Sequence, residues 1–206
     1  MTQTAYARMP VAKRRALVLA AGREFASHSF EQASLNRIIA DCHMSKSSFY
    51  HVIDSKESLL TLVVSELRDD AAHDWTPPEP ADFAPDFWAT ADLVFHDALR
   101  IWPDSRALGL LWRIVHANRG DPAVTALGSS FEGWVAAALD IGRQTGAVDS
   151  ACPAELQVLA ATTLLTAFDE WALARTQSDN GDGQNGGDLE AAADDQFRLL
   201  RRLLEA

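Results

Sequence analysis

Long hydrophobic runs are missing from this sequence. No stretch approaches the roughly 20 uncharged apolar residues that span a bilayer, so no membrane helix is expected. The opening residues, MTQTAYARMP, lack the apolar core of a secretion signal, and the expected compartment is the cytoplasm. Cysteine is scarce: Cys42 and Cys152 lie far apart, which excludes a disulfide framework and a zinc-type pairing, and both are expected as reduced, mostly buried thiols. Lysine occurs only at Lys13, Lys46 and Lys56. The six histidines (His28, His43, His51, His73, His96, His116) show no metal-ligand spacing, and neither a nucleophile elbow nor a phosphate loop is found. No catalytic residue, metal or cofactor is therefore expected, and an enzyme is the least favoured reading.

What is present is an ordinary globular composition, 48% hydrophobic and 23% charged over 206 residues, enough for one or two domains. The formal charge of -11 argues against nucleic acid only until its distribution is considered. Residues 1–60 hold eight of the 18 Lys and Arg but five of the 29 Asp and Glu, so this end is net basic and the rest strongly acidic. Phosphate binding depends on locally clustered cations, which such a distribution allows.

Helical spacing recurs throughout and sustained polar/apolar alternation does not, so an all-α fold is expected. The first helix is placed over Ala12–Ser27, with Leu17, Ala20, Ala21 and Phe25 on one face. A second follows the cap Ser34, carrying Leu35, Ile38 and Ile39 to about Cys42; a short third runs from Ser45 to about Val52. A fourth begins near Ser55, with Leu59, Leu60, Val63, Val64 and Leu67 as its stripe. Trp75-Thr76-Pro77-Pro78-Glu79-Pro80 stops helical continuation and is the best linker candidate. Five further helices are placed, with Pro85, Pro103, Pro122 and Pro153 near starts and the last over Leu189–Glu205. Gln177–Asp188, rich in Gly, Asn and Asp, is expected to be a mobile loop.

Cys42-His43-Met44 is the short turn that lets two helices cross steeply and the second enter a major groove, a helix-turn-helix. Ser45 caps the third helix. Lys46, Ser47, Ser48, Tyr50 and His51 then form a polar face, while Phe49 and Val52 point inward. Hydroxyls and Tyr suit phosphates, and Lys or His reaches base edges. Lys46 and Lys56 stand at helix starts, where a cation is disfavoured unless an anion is near; phosphate would be that anion, although Asp54 could also compensate Lys56. With Ser34, Asn36 and Arg37 of the second helix, these residues are the candidate DNA contacts.

Residues 14–64, RRALVLAAGREFASHSFEQASLNRIIADCHMSKSSFYHVIDSKESLLTLVV, resemble the DNA-binding region of the TetR family. The likeness lies in Ala20-Ala21 and Phe25, Ser34, Ile38 and Ala40, Ser45-Lys46, Phe49-Tyr50, and Ser55-Lys56-Glu57 before Leu59-Leu60. It implies a helix-turn-helix domain over residues 1–54 and a larger helical effector-binding and dimerisation domain over 55–206. It also implies a homodimer, a palindromic operator on double-stranded DNA, and a small-molecule effector whose binding releases a repressor. The family usually has glycine where Ser29 and His43 stand, positions that tend to need positive φ. Val52 and Ile53 replace an aromatic pair, which removes one phosphate contact. These departures keep open a second reading, a helical small-molecule-binding protein with a weakened head.

Trp88, Trp102, Trp112, Trp134 and Trp171, with Phe87, Phe95, Phe131 and Phe168, lie beyond the linker and either line an apolar pocket or form plain core. The candidate effector-binding set is Phe95, His96, Trp112, His116, Trp134, Phe168, Asp169 and Trp171. Surface exposure is the alternative for Asp169 and, more so, for Glu170. In the last helix Phe197, Leu200 and Leu204 form one stripe and Leu199 and Leu203 another. Together with the broad apolar arc from Leu156 to Ala172, this leaves a face for a second subunit, unless the extra stripe packs within one monomer.

Overall fold

Serine side chains decide where the helices of the N-terminal third begin. Ser34, Ser45 and Ser55 are each extended, and each accepts a hydrogen bond from the amide three residues on, from Arg37, Ser48 and Ser58 at 3.4, 3.1 and 3.1 Å. Each thereby satisfies one of the amides a helix start leaves open. The structure, a computed structural model, describes residues 2–101, 104–178 and 185–206. Trp102 and Pro103 lie outside the described residues.

The helices are α1 (Thr2–Ala7), α2 (Val11–Ser27), α3 (Leu35–Asp41), α4 (Lys46–Val52), α5 (Lys56–Asp74), α6 (Phe87–Ile101), α7 (Arg106–Ala117), α8 (Pro122–Thr145), α9 (Ala154–Ser178) and α10 (Asn185–Leu204), with a 3-10 turn at Pro80–Phe83. Among the described residues extended pairing is limited to an isolated bridge between Val148 and Glu205. The fold is all-α. The linker Trp75–Glu79 separates α5 from the 3-10 turn as expected. The start signal at Asp121 is also as read: its Oδ1 accepts from the Ala123 amide at 2.9 Å, and Pro122 opens α8. Helix α1 was not expected. The Gln177–Asp188 segment is not wholly irregular: Gln177 and Ser178 end α9, Asn185–Asp188 begin α10, and 179–184 lie outside the described residues.

The chain forms two compact units, one of residues 1–76 and 101–128, the other of 77–100 and 129–206. In the first, α2 packs on α3, α5 and α7, and α5 on α7. Leu17, Phe25, Ile38, Phe49, Leu59, Leu60 and Ile114 are fully buried there, the stripes that helical spacing marks. Burying each such side chain stabilises by about 1.5–3 kcal/mol relative to exposure. Asn118, buried after α7, donates to the carbonyls of Phe25 and Ile114 at 2.8 and 2.9 Å and so fixes the end of α7 against α2. In the second unit Phe83, Phe87, Val135, Leu139, Val148 and Leu204 form the core. Trp88 and Trp134 donate their indole N–H groups to the carbonyls of Ala147 and Pro78 at 3.0 and 2.9 Å. Gly142 is required: an added Cβ would lie 2.5 Å from Val148 Cγ2 and 2.8 Å from Phe87 Cε2. Both cysteines are free thiols; Cys42 is buried, whereas Cys152 is only half-buried.

A buried carboxylate joins α2 to α3. Glu24 accepts from the Ser34 amide at 2.7 Å and from Arg37 Nε at 2.9 and 3.0 Å, with Arg37 Nη2 on the same oxygen as Ser34. Burial pushes the Glu24 carboxyl up, but Arg37, the Ser34 amide and His28 outweigh it, and it titrates below the ordinary carboxylate range. In the following turn His43 has φ 54°, the left-handed conformation expected there; Ser29 does not have positive φ, so the loop after α2 turns without it.

Glu24→Ala is expected to destabilise the protein by about 1–3 kcal/mol near neutral pH, because the Ser34 amide and Arg37 lose their acceptor. Because the folded carboxyl titrates below the unfolded one, its stabilisation is complete above the unfolded pKa and is lost as pH falls through the folded value. Urea melts of both proteins should therefore converge in acid. His43→Gly relieves the left-handed strain and should raise stability by about 0.5–1 kcal/mol, read from the same melts.

Candidate nucleic-acid interface

The seven residues of α4 divide cleanly between core and solvent. Phe49 is fully buried and Val52 nearly so, while Ser45, Lys46, Ser47, Ser48, Tyr50 and His51 are exposed. A helix start fixed by Ser45 and two inward anchors three residues apart hold the polar face outward. Tyr50 is 54% exposed, yet its ring stands edge-on to Phe49 at 5.3 Å between centroids, so it projects from a buried support. The Ser45 hydroxyl donates to Ser48 Oγ at 2.8 Å, which occupies both hydroxyls in the cap. Lys46, Ser47, Tyr50 and His51 are therefore the side chains best placed to reach outward.

The remaining candidates take different positions. Asn36 is exposed on α3, whereas Ser34 and Arg37 belong to the Glu24 knot; Arg37 also donates to the Gln32 carbonyl at 3.2 Å. Lys56 donates to the Glu31 carbonyl at 3.2 Å and lies 4.9 Å from the Phe30 ring centre, tying the start of α5 to the loop before α3. Val52 and Ile53 are both buried in the core, so neither faces a duplex. Glu24 was not singled out by sequence; its signal was a carboxylate beside Phe25 within the apolar face of α2.

The eight candidate effector residues do not form one group. In the second unit Phe95 lies 6.4 Å from Phe168 and 5.7 Å from Phe197, with His96 6.1 Å from Phe197. His96 Nε2 is 3.1 Å from Asp194 Oδ1, and Nδ1 is 2.9 Å from the Asp92 carbonyl. Burial lowers the His96 pKa, but the Asp92 carbonyl and the carboxylates of Asp194 and Asp92 more than offset this and hold it above the ordinary histidine value. Trp134 packs with Phe83 and Phe131, Asp169 is half-buried, and Trp171 is exposed. Trp112 and His116 belong to the first unit, stacked at 3.7 Å with Arg119 Nη2 on His116 Nε2 at 2.7 Å. Among the described residues no group of three His, Cys, Asp or Glu is arranged to hold a metal ion, and no helix is long and apolar enough to cross a membrane.

One apolar face of the second unit is open. Leu156, Leu159, Leu199 and Leu203 are 56%, 59%, 53% and 52% exposed, whereas Phe197 and Leu204 on α10 are buried. Leu156, Leu159, Thr163 and Leu203 line a shallow groove with Cys152. Helix α10 thus uses one stripe for its own core and presents the other.

Residues 17–63 match the family described as "Bacterial regulatory proteins, tetR family". No curated protein matches the chain. Among solved structures, a TetR family transcriptional regulator from Chloroflexus aurantiacus is similar at TM-score 0.72 and 15% identity, covering 100% of this chain and 98% of that one. A putative tetR family regulator from Shewanella sp. PV-4 is similar at TM-score 0.66 and 17% identity, covering 94% and 98%. NalD of Pseudomonas aeruginosa, the secondary repressor of the MexAB-OprM multidrug efflux pump, is similar at TM-score 0.59 and 13% identity, covering 94% and 96%. At these identities the structural likeness speaks for the fold, and the domain match speaks for the head. Residues 17–63 therefore resemble the DNA-binding segment of the tetR family of bacterial regulatory proteins, and over the whole chain these regulators share its all-α fold.

Proposed function

We propose that this protein is a cytoplasmic transcriptional repressor that binds a palindromic operator as a homodimer and releases it when a small molecule occupies the larger domain. The observation that carries the reading is the outward polar face of α4, with Lys46, Ser47, Tyr50 and His51 exposed over buried Phe49 and Val52. A short capped helix of this kind enters a major groove, with hydroxyls and Tyr on phosphates and Lys or His on base edges. DNA reading belongs to residues 1–54, with Ser34, Asn36, Arg37, Ser45, Ser48 and Lys56 framing the contact; effector binding and dimerisation belong to 55–206. Arg37 and Lys56 act there chiefly by fixing the scaffold.

The open leucine face of α9 and α10 supports a twofold pairing with a second copy, since four half-exposed leucines on adjoining helices are costly to leave in water. Two reading helices about one turn of DNA apart, roughly 34 Å, then match a palindrome. The effector site is assigned to Phe95, His96 and Phe168, where rings and one imidazole meet around half-buried α6. An effector relieves repression only if it binds the two head arrangements with different affinity. The weakened-head reading keeps one observation in its favour, the left-handed His43 inside the turn.

Lys46→Ala and Tyr50→Ala should each weaken binding to a palindromic duplex, selected from a random pool by the wild-type protein, at least tenfold without moving the thermal midpoint. Fluorescence anisotropy against salt measures this; unchanged affinity in both would remove α4 as the reading helix. Leu159→Glu combined with Leu203→Glu is expected to convert a dimer to a folded monomer in sedimentation velocity, and a monomeric wild-type protein at tens of micromolar would end the dimer proposal.

A further inference from the structure

The matched family segment begins at residue 17, and α1 lies wholly before it. Helix α1 packs against α4, the proposed reading helix. Its anchor is Tyr6, 7% exposed and part of the same buried cluster as Phe49 and Val52, with Ala5 and Met9 packed beside it. Arg14 of α2 lies 5.7 Å from the Tyr6 ring centre, and the Glu66 carboxylate of α5 neighbours the phenol; burial first and Glu66 second push its pKa far above the ordinary tyrosine value. One aromatic side chain thus joins α1 to α2 and α5, while the helix itself rests on α4. A helix as short as Thr2–Ala7 has no stability alone in water, so this packing is what holds it.

Charge gives the same segment a second property. No acidic residue occurs before Glu24, whereas Arg8, Lys13, Arg14, Arg15 and Arg23 do. Arg8, Lys13 and Arg15 are exposed. In a chain of net charge -11, this is a locally basic segment whose first helix packs on the reading helix, and phosphate oxygens select such local cations.

We propose that α1 and the turn that follows it are a working part of the DNA-binding surface: Tyr6 braces α4 in its reading position, and Arg8, immediately after α1, contacts the sugar-phosphate backbone of the bound duplex. The inference rests on the DNA-binding reading of α4 and extends it to a segment outside the family match. Arg8 supplies affinity without sequence preference, while Tyr6 acts through α4 and so affects discrimination between sequences.

The test uses full-length protein with two probes, the selected palindromic duplex and a scrambled duplex of equal length. Arg8→Ala should lower the slope of log affinity against log salt by about 0.9 for each phosphate that Arg8 neutralises, equally for both probes, with an unchanged thermal midpoint. That corresponds to about eightfold weaker binding per phosphate at 0.1 M salt relative to 1 M. Tyr6→Ala should lower the preference for the palindrome over the scrambled duplex at least tenfold, and Tyr6→Phe, which keeps the ring, should restore it. Wild-type slope and affinity in Arg8→Ala overturn the phosphate contact, whether or not Tyr6→Ala folds. Unchanged preference in a folded Tyr6→Ala overturns the brace. A wild-type protein that binds neither duplex removes the parent reading along with this one, whereas wild-type binding that withstands the α1 variants removes this inference alone.

Discussion

The head of this protein depends on one buried carboxylate. Glu24 stands inside the first compact unit, where an unpaired charge is untenable, and its acceptors are filled by the Ser34 amide and the Arg37 guanidinium. The same bonds close the end of α2 onto the start of α3 and set the direction in which α3 leaves. The steep turn through His43 then sets α4, so the outward face of α4 is fixed at a distance by a group that has no outward face itself. Lys56 repeats the logic on a smaller scale, holding the loop before α3 through the Glu31 carbonyl and the Phe30 ring.

The helices of the head were legible because their signals are local. Ser34, Ser45 and Ser55 announce their helices directly, and the apolar spacing of Leu17, Phe25, Ile38, Phe49 and Leu59–Leu67 names the side chains that the structure buries. The prolines at 122 and 153 mark the starts of α8 and α9 for the same reason. Helix α1 was not legible: it is too short to show a period, it has no capping signal, and it exists by packing on α4. Positive φ at His43 follows from the tight turn between α3 and α4, while the looser stretch after α2 turns without it at Ser29.

The candidate sites divide along the same line. The α4 face was readable because alternation of core and solvent within a single helix is written in consecutive residues. The aromatic set was not, because spacing along the chain does not say which helices face one another. Phe95 and Phe168 come together through α6 and α9, while Trp112 and His116 fall in the first unit. Arg37 illustrates a subtler limit: its position suits a DNA contact, but only the fold reveals that Glu24 already engages it.

Gly142 gives α6 an uneven mechanical character. Near Phe87 there is no room even for a methyl group between α8, Val148 and the start of α6. From Ala91 to Leu99, by contrast, α6 has no fully buried side chain. There it is held by ring contacts of Phe95 and His96 and by the His96–Asp194 bond rather than by close backbone approach. A side chain at position 142 would therefore be felt first at the Phe87 end of α6, because that is where the helix meets α8 without a gap.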